Sequence, residues 1–178
     1  MNIVLVGFMG TGKSAVGRGL ARRLKRPFLD LDERIAREAG RAIPEIFALE
    51  GEAGFRKRES KAVEWASGLK EHVVATGGGV MLEEANVERL KKSGILICLS
   101  ARPDVIVRRT LNRLPSRPLL SGADPKGRVE ELLKLRAPFY AQADVAIDTS
   151  DRSLEQVVAE VLREIEKWKL ERRSLSST

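Results

Sequence analysis

GFMGTGKS, Gly7 to Ser14, follows directly on the apolar run IVLV at Ile3–Val6. Gly7, Gly12, Lys13 and Ser14 fill the pattern G-x-x-x-x-G-K-S, a loop that wraps nucleoside phosphates when a strand precedes it and a helix follows. Both flanks are present: IVLV reads as a buried strand, and KSAVGRGLARRL from Lys13 has helical period. The chemistry follows from the residue types. Small residues let the backbone N–H groups of Gly10, Thr11, Gly12, Lys13, Ser14 and Ala15 turn inward around oxygen atoms, and the new helix adds its positive end. Lys13 reaches the β- and γ-phosphates and Ser14 offers its hydroxyl to Mg²⁺. ATP and Mg²⁺ are the expected cofactors. Where the terminal phosphoryl group goes is a separate question, because such a loop serves water, protein and metabolite acceptors alike.

Working outward, four more short apolar runs alternate with longer helical segments. PFLDLD, HVVATGG, ILICLSA and DVAIDTS join the first run as five expected strands. This alternation predicts an α/β fold, a five-stranded parallel sheet with helices on both faces. Helices are expected at KSAVGRGLARRL, from IPEIFALE to AVEWAS with a break near Gly51, and at EEANVERLKK, PDVIVRRTLN, KGRVEELLKLRAPFYAQ and SLEQVVAEVLREIEKW. Ser153 with Gln156 has capping-box spacing, and Asp124 before Pro125 suits a helix start. NRLPSRPLLSGAD, 112–124, mixes prolines and charges without a steady period and reads as a mobile lid. The chain of 178 residues suits one domain, expected over 1–170, with 171–178 as a loose tail.

With 43% apolar and 32% charged residues the composition is that of a soluble globular protein. No run approaches the ~20 apolar residues of a membrane span, and the amino-terminal segment lacks the basic leader of a signal peptide. Cys98, the single cysteine, lies in an apolar run, reads as core, and is consistent with a cytoplasmic location. The net charge of +7 is spread along helices beside acids, and aromatics make up only 4%, so nucleic acid is not an expected partner. A positive field also suits a protein that binds ATP and a second anion. His72, the only histidine, reads as a strand-edge residue without a role.

The rest of the sequence narrows the class. There is no Asn-Lys-x-Asp motif of a guanine reader, and no strand ends in the Asp-Glu pair of many mechanical ATPases. The third strand ends instead in Thr76-Gly77-Gly78-Gly79, where backbone can come close to a ligand at the carboxyl edge of a parallel sheet. The second ends in DLD, and strand alternation sends Asp30 and Asp32 to the same side, able to hold Mg²⁺ water or accept from hydroxyls. Asp32 as a cap of the following helix is the alternative. Arg56 shares a helix face with Glu59, and Arg56, Arg117 and Arg136 are each either solvated charges or anion ligands by pattern alone. If Asp32 faces the acceptor together with Arg56 or Arg136, the acceptor is a small polyhydroxy acid.

GFMGTGKS, DLD, IPEIFALEGEAGFRKRE, TGGG, SRPLL and LRAPFY together, in this order and spacing, resemble shikimate kinase, from Met1 to about Ile165. That resemblance implies the P-loop NTPase fold of the nucleoside-monophosphate-kinase-like type and transfer of the ATP γ-phosphoryl group to the 3-hydroxyl of shikimate. It implies that Asp32 holds ring hydroxyls and assists loss of the attacking proton, that Arg56 and Arg136 clamp the carboxylate, and that backbone at Gly78 and Gly79 packs against the ring. Asp30 would support the metal, Lys13 and the lid's Arg117 would neutralise charge on the moving group, and Arg109 and Arg152 would stand near the adenine. A monomer with no nucleic-acid or membrane partner is expected. One departure stands out: many members carry a second hydroxyl residue where this chain has Ala15, leaving only the backbone N–H there. A gluconate kinase is the rival reading among enzymes.

Overall fold

A computed structural model describes residues 1–110 and 124–175. Five parallel strands run β1 (Asn2–Val6), β2 (Phe28–Asp30), β3 (Val73–Ala75), β4 (Gly94–Ser100) and β5 (Val145–Asp148), in the order β2-β3-β1-β4-β5. Each expected strand is present. Around them lie α1 (Lys13–Leu24), α2 (Leu31–Ala39), α3 (Ile43–Ser67), α4 (Glu84–Ser93), α5 (Pro103–Thr110), α6 (Pro125–Tyr140) and α7 (Leu154–Leu175). β1 is central, bonded to β3 on one side and β4 on the other. In a parallel sheet the strand order reverses at such a point, and ligands bind in the crevice beyond the strand carboxyl ends.

Alternation along β1 builds two cores. Val4 and Val6 face α2, α3 and α4 with Leu31, Ile35, Phe55, Val63 and Leu90, whereas Ile3 and Leu5 face α1 and α7 with Leu20, Val157, Val161 and Ile165. A fully buried Leu or Ile contributes ~1.5–3 kcal/mol relative to exposure, so a strand apolar on both faces is held centrally. A third cluster joins Phe8 to Val105 and Ile106 of α5 and Val129 and Leu132 of α6. That cluster fastens the base of the phosphate loop to α5 and α6.

The caps agree with the local readings. Asp124 accepts from the Gly127 N–H at 2.9 Å, and Ser153 with Gln156 forms reciprocal bonds at the start of α7. Gly51 interrupts α3 at φ 68°, where the break was expected. Two differences matter. The last helix runs through Leu175, so most of the expected tail from 171 is helical, with Trp168 packed on the α1/α7 core. The second is at DLD: β2 stops at Asp30 and the chain turns into helix at Leu31, so strand alternation does not relate Asp30 to Asp32. Buried Leu31 starts the helix because Asp30 caps it, accepting from the N–H groups of Asp32 and Glu33. The capping role weighed for Asp32 thus belongs to Asp30. No described helix is long and apolar enough to cross a membrane.

Candidate active site

Gly7 to Ser14 leaves the end of β1 and enters α1, with Gly12 at φ 98° as the residue before the helix. A left-handed conformation there suits glycine and turns the first N–H groups of α1 toward the loop's hollow. The Lys13 ammonium, only 9% exposed, donates to the carbonyls of Gly7 at 2.8 Å and Phe8 at 2.9 Å. Thr11 is fully buried and closes the loop on itself, its hydroxyl donating to the Phe8 carbonyl at 2.7 Å. The loop is therefore preshaped by its own side chains.

Above it opens a cavity of about 600 Å³, lined by Gly10, Gly12, Lys13, Ser14 and Ala15 from the loop, by Asp30 and Asp32, by Gly78, and by Arg109. The Ser14 hydroxyl donates to Asp30 Oδ2 at 2.6 Å. These two oxygens fit a hard cation such as Mg²⁺, which takes one or two protein oxygens and fills its shell with water and phosphate. Among the described residues no group of three or more His, Cys, Asp or Glu side chains could hold a metal ion. Arg109 donates to the Thr149 hydroxyl at 2.9 Å and to its carbonyl at 2.7 Å. Thr149 Oγ1 also lies 3.0 Å from the carbonyls of Thr11 and Ser100, tying the arginine to the phosphate loop.

Next to this cavity, four charged groups gather around the triple glycine. A side chain at Gly77 would lie 2.6 Å from Glu59 Oε1 and 2.8 Å from Asp32 Oδ1, and one at Gly79 would collide with the Arg56 guanidinium. Glycine is needed here for close approach, since carboxylates from α2 and α3 press on one backbone segment. Arg56 Nη1 donates to Glu59 Oε2 at 2.7 Å and Nη2 to Glu52 at 3.0 Å. Arg136, 6% exposed, lies over the Phe8 ring and donates to the Gly78 carbonyl at 3.2 Å. Arg56, Gly79 and Arg136 do not line the 600 Å³ cavity itself; they adjoin it around Gly78.

Glu59 is the residue that sequence reasoning undervalued. It is 1% exposed, and its Oε1 has no hydrogen-bond donor among the described residues. Burial pushes its carboxyl up, Arg56 pulls it down, and the charge of Asp32 adds to the upward push. A buried acceptor of this kind calls for a partner, and a ligand hydroxyl is a suitable one. The spacing to Arg56 was visible in sequence, but depth was not. Tyr140 and Thr149 gave no periodic signal at all. Cys98 behaves as core: burial pushes its thiol up to about 11, against the pull of Lys13, so it is no nucleophile.

One expected residue has other partners, and one is not among those described. Arg152 pairs with Glu160 and lines a separate shallow depression with Asp151, Gln156 and Arg163, away from the phosphate loop. Its position two residues ahead of α7, within reach of Glu160, accounts for this. Arg117, and the expected lid apart from Asp124, lies outside the described residues. The His72 ring makes a local contact, its Nδ1 2.7 Å from the Lys70 carbonyl, while its backbone N–H donates to Asn2 Oδ1 and its carbonyl accepts from the Ile3 N–H.

Comparison with known proteins agrees with the geometry. The family model described as shikimate kinase matches residues 9–166. A shikimate kinase of Symbiobacterium thermophilum is 51% identical over 168 residues, covering 93% of this chain and 97% of that protein. One of Caldanaerobacter subterraneus subsp. tengcongensis is 50% identical over 162 residues, covering 91% and 94%. Among solved structures, shikimate kinase from Acinetobacter baumannii in complex with shikimate superposes with a TM-score of 0.90 at 41% identity, covering 95% of this chain and 94% of that one.

Proposed function

This chain belongs to the shikimate kinase family, and we propose that its phosphate-loop cavity and the charged ring around Gly77–Gly79 are the donor and acceptor halves of one site. The enzyme transfers the γ-phosphoryl group of ATP to the 3-hydroxyl of shikimate, giving shikimate 3-phosphate and ADP on the route to chorismate and the aromatic amino acids. The observation that carries the site proposal is the convergence of Asp32, Glu59, Arg56 and Arg136 on one glycine segment beside the phosphate loop. Carboxylates there accept from ring hydroxyls, and guanidinium groups pair with the acid of the ring.

Phosphoryl transfer asks chiefly for position and charge. In this reading the loop N–H groups from Gly10 to Ala15 cradle the phosphates, and the Lys13 ammonium turns from its own carbonyls to the transferring group. Ser14 and Asp30 would hold Mg²⁺, which would supply charge neutralisation to the phosphates. Asp32 orients the attacking hydroxyl and takes its proton, while Arg56 and Arg136 fix the carboxylate so that this hydroxyl points in line. Such orientation lowers barriers by roughly 7–11 kcal/mol in favourable cases. Arg109, held by Thr149, stands at the nucleotide end of the cavity and borders the adenine. Arg152 has no part in it. A single domain over 1–170, acting as a cytoplasmic monomer on small molecules, completes the proposal.

ADP release from ATP and Mg²⁺ tests it, with shikimate, with gluconate and with neither. Release stimulated by shikimate alone is expected; equal stimulation by gluconate would sink the acceptor reading. Arg136→Lys tests the clamp separately. An ammonium cannot make a two-pronged bond, so the shikimate KM is expected to rise about 10- to 100-fold with the ATP KM unchanged. An unaltered shikimate KM would remove Arg136 from the acceptor site.

A further inference from the structure

The geometry points to Tyr140 as a positioning residue for the acceptor, acting through the peptide between Gly78 and Gly79. The inference rests on the acceptor site proposed above. The Tyr140 hydroxyl donates to the Gly78 carbonyl at 2.6 Å, and Arg136 Nη1 donates to the same oxygen at 3.2 Å. Both donors come from α6, one turn apart, so a single helix grips one peptide group.

A peptide between two glycines is among the easiest to rotate, since neither neighbour has a Cβ to limit it. In a trans amide the N–H points opposite to the carbonyl, and among the described residues every peptide bond is trans. Anchoring the Gly78 oxygen toward α6 therefore turns the Gly79 N–H the other way. Gly79 is buried and its Cα abuts the Arg56 guanidinium, so that N–H is held beside one of the carboxylate-binding groups. Among the described residues the Gly79 N–H has no backbone partner, as a donor reserved for a ligand would require.

The ring of Tyr140 is itself located by packing. It touches the cluster of Val4, Leu31 and Phe55 and also the cluster of Phe8 and Val129, wedged where the two meet. Burial, ahead of the opposing charge of Arg136, pushes its phenol up to about 12, so the hydroxyl remains a donor throughout the working pH range. Tyr140 and Arg136 share the Gly78 oxygen as acceptor, so loss of the phenol hydroxyl leaves the peptide held by the longer Arg136 bond alone.

Tyr140→Phe keeps the ring and removes only the hydroxyl. The expected result is a shikimate KM about 3- to 10-fold higher, the value of one net hydrogen bond, with the ATP KM unchanged. In ¹⁵N-labelled protein without substrate, the Gly79 amide resonance is expected to move while those of Gly10 and Gly12 stay. A lowered Tm with an unaltered shikimate KM would reduce Tyr140 to a packing residue and overturn the inference, as would an unmoved Gly79 amide. Failure of the wild-type enzyme to use shikimate would instead strike at the acceptor site on which the inference rests, and the amide measurement distinguishes the two.

Discussion

Replacing Lys13 with Met is expected to lower phosphoryl transfer by about 10³-fold or more while the fold survives. The methylene stem of Met fills much the same space, so the packing around Val16 and Leu20 on α1 is kept. What disappears is the one ammonium group bonded inside the loop, at the Gly7 and Phe8 carbonyls. In a site shielded from water, a charged donor aimed at developing negative charge is worth far more than at a surface. The check is kcat with saturating shikimate, alongside a thermal melt. Turnover within tenfold of wild type with an unchanged melt would contradict the reading of the loop.

Asp32→Asn is expected to cut kcat by about 10²–10³-fold, the usual range for loss of a group that positions a nucleophile and takes its proton. Asn has the same shape and leaves the α2 start intact, because the cap is Asp30 and only the Asp32 backbone N–H enters it. The start of α2 is therefore unaffected by the substitution, and a thermal melt checks the rest of the fold. ATP affinity is expected to hold, since Asp30 and Ser14 remain paired. Near-normal kcat would leave Asp32 as an orienting contact without a share in proton removal.

The expected strands and helices were legible because their causes are local. IVLV is apolar on both faces and so belongs in the sheet centre; KSAVGRGLARRL has the period of α1; Asp124 and Ser153 carry their capping chemistry with them. Reasoning that extended a local rule past its element failed. Alternation was carried through DLD, although a buried Leu31 and a capping Asp30 had already begun a helix. Arg152 came by resemblance alone, and a neighbour eight residues on, Glu160, holds it.

From its own order of residues this chain determined a nucleotide loop between strand and helix, five parallel strands, and most helix ends, since each depends on interactions within a few residues. Only the tertiary structure decided that Asp32, Arg56, Glu59 and Arg136 meet at Gly77–Gly79, and that Tyr140 grips the same segment. The reason is the sheet order: β3 lies between β2 and β1, which brings the β3 glycines between the Asp32 helix and the phosphate loop, with α3 and α6 packed alongside. Distances of that kind are set by packing between segments far apart in the chain, 58 and 62 positions for Arg136 and Tyr140 against Gly78, and no spacing along the chain encodes them.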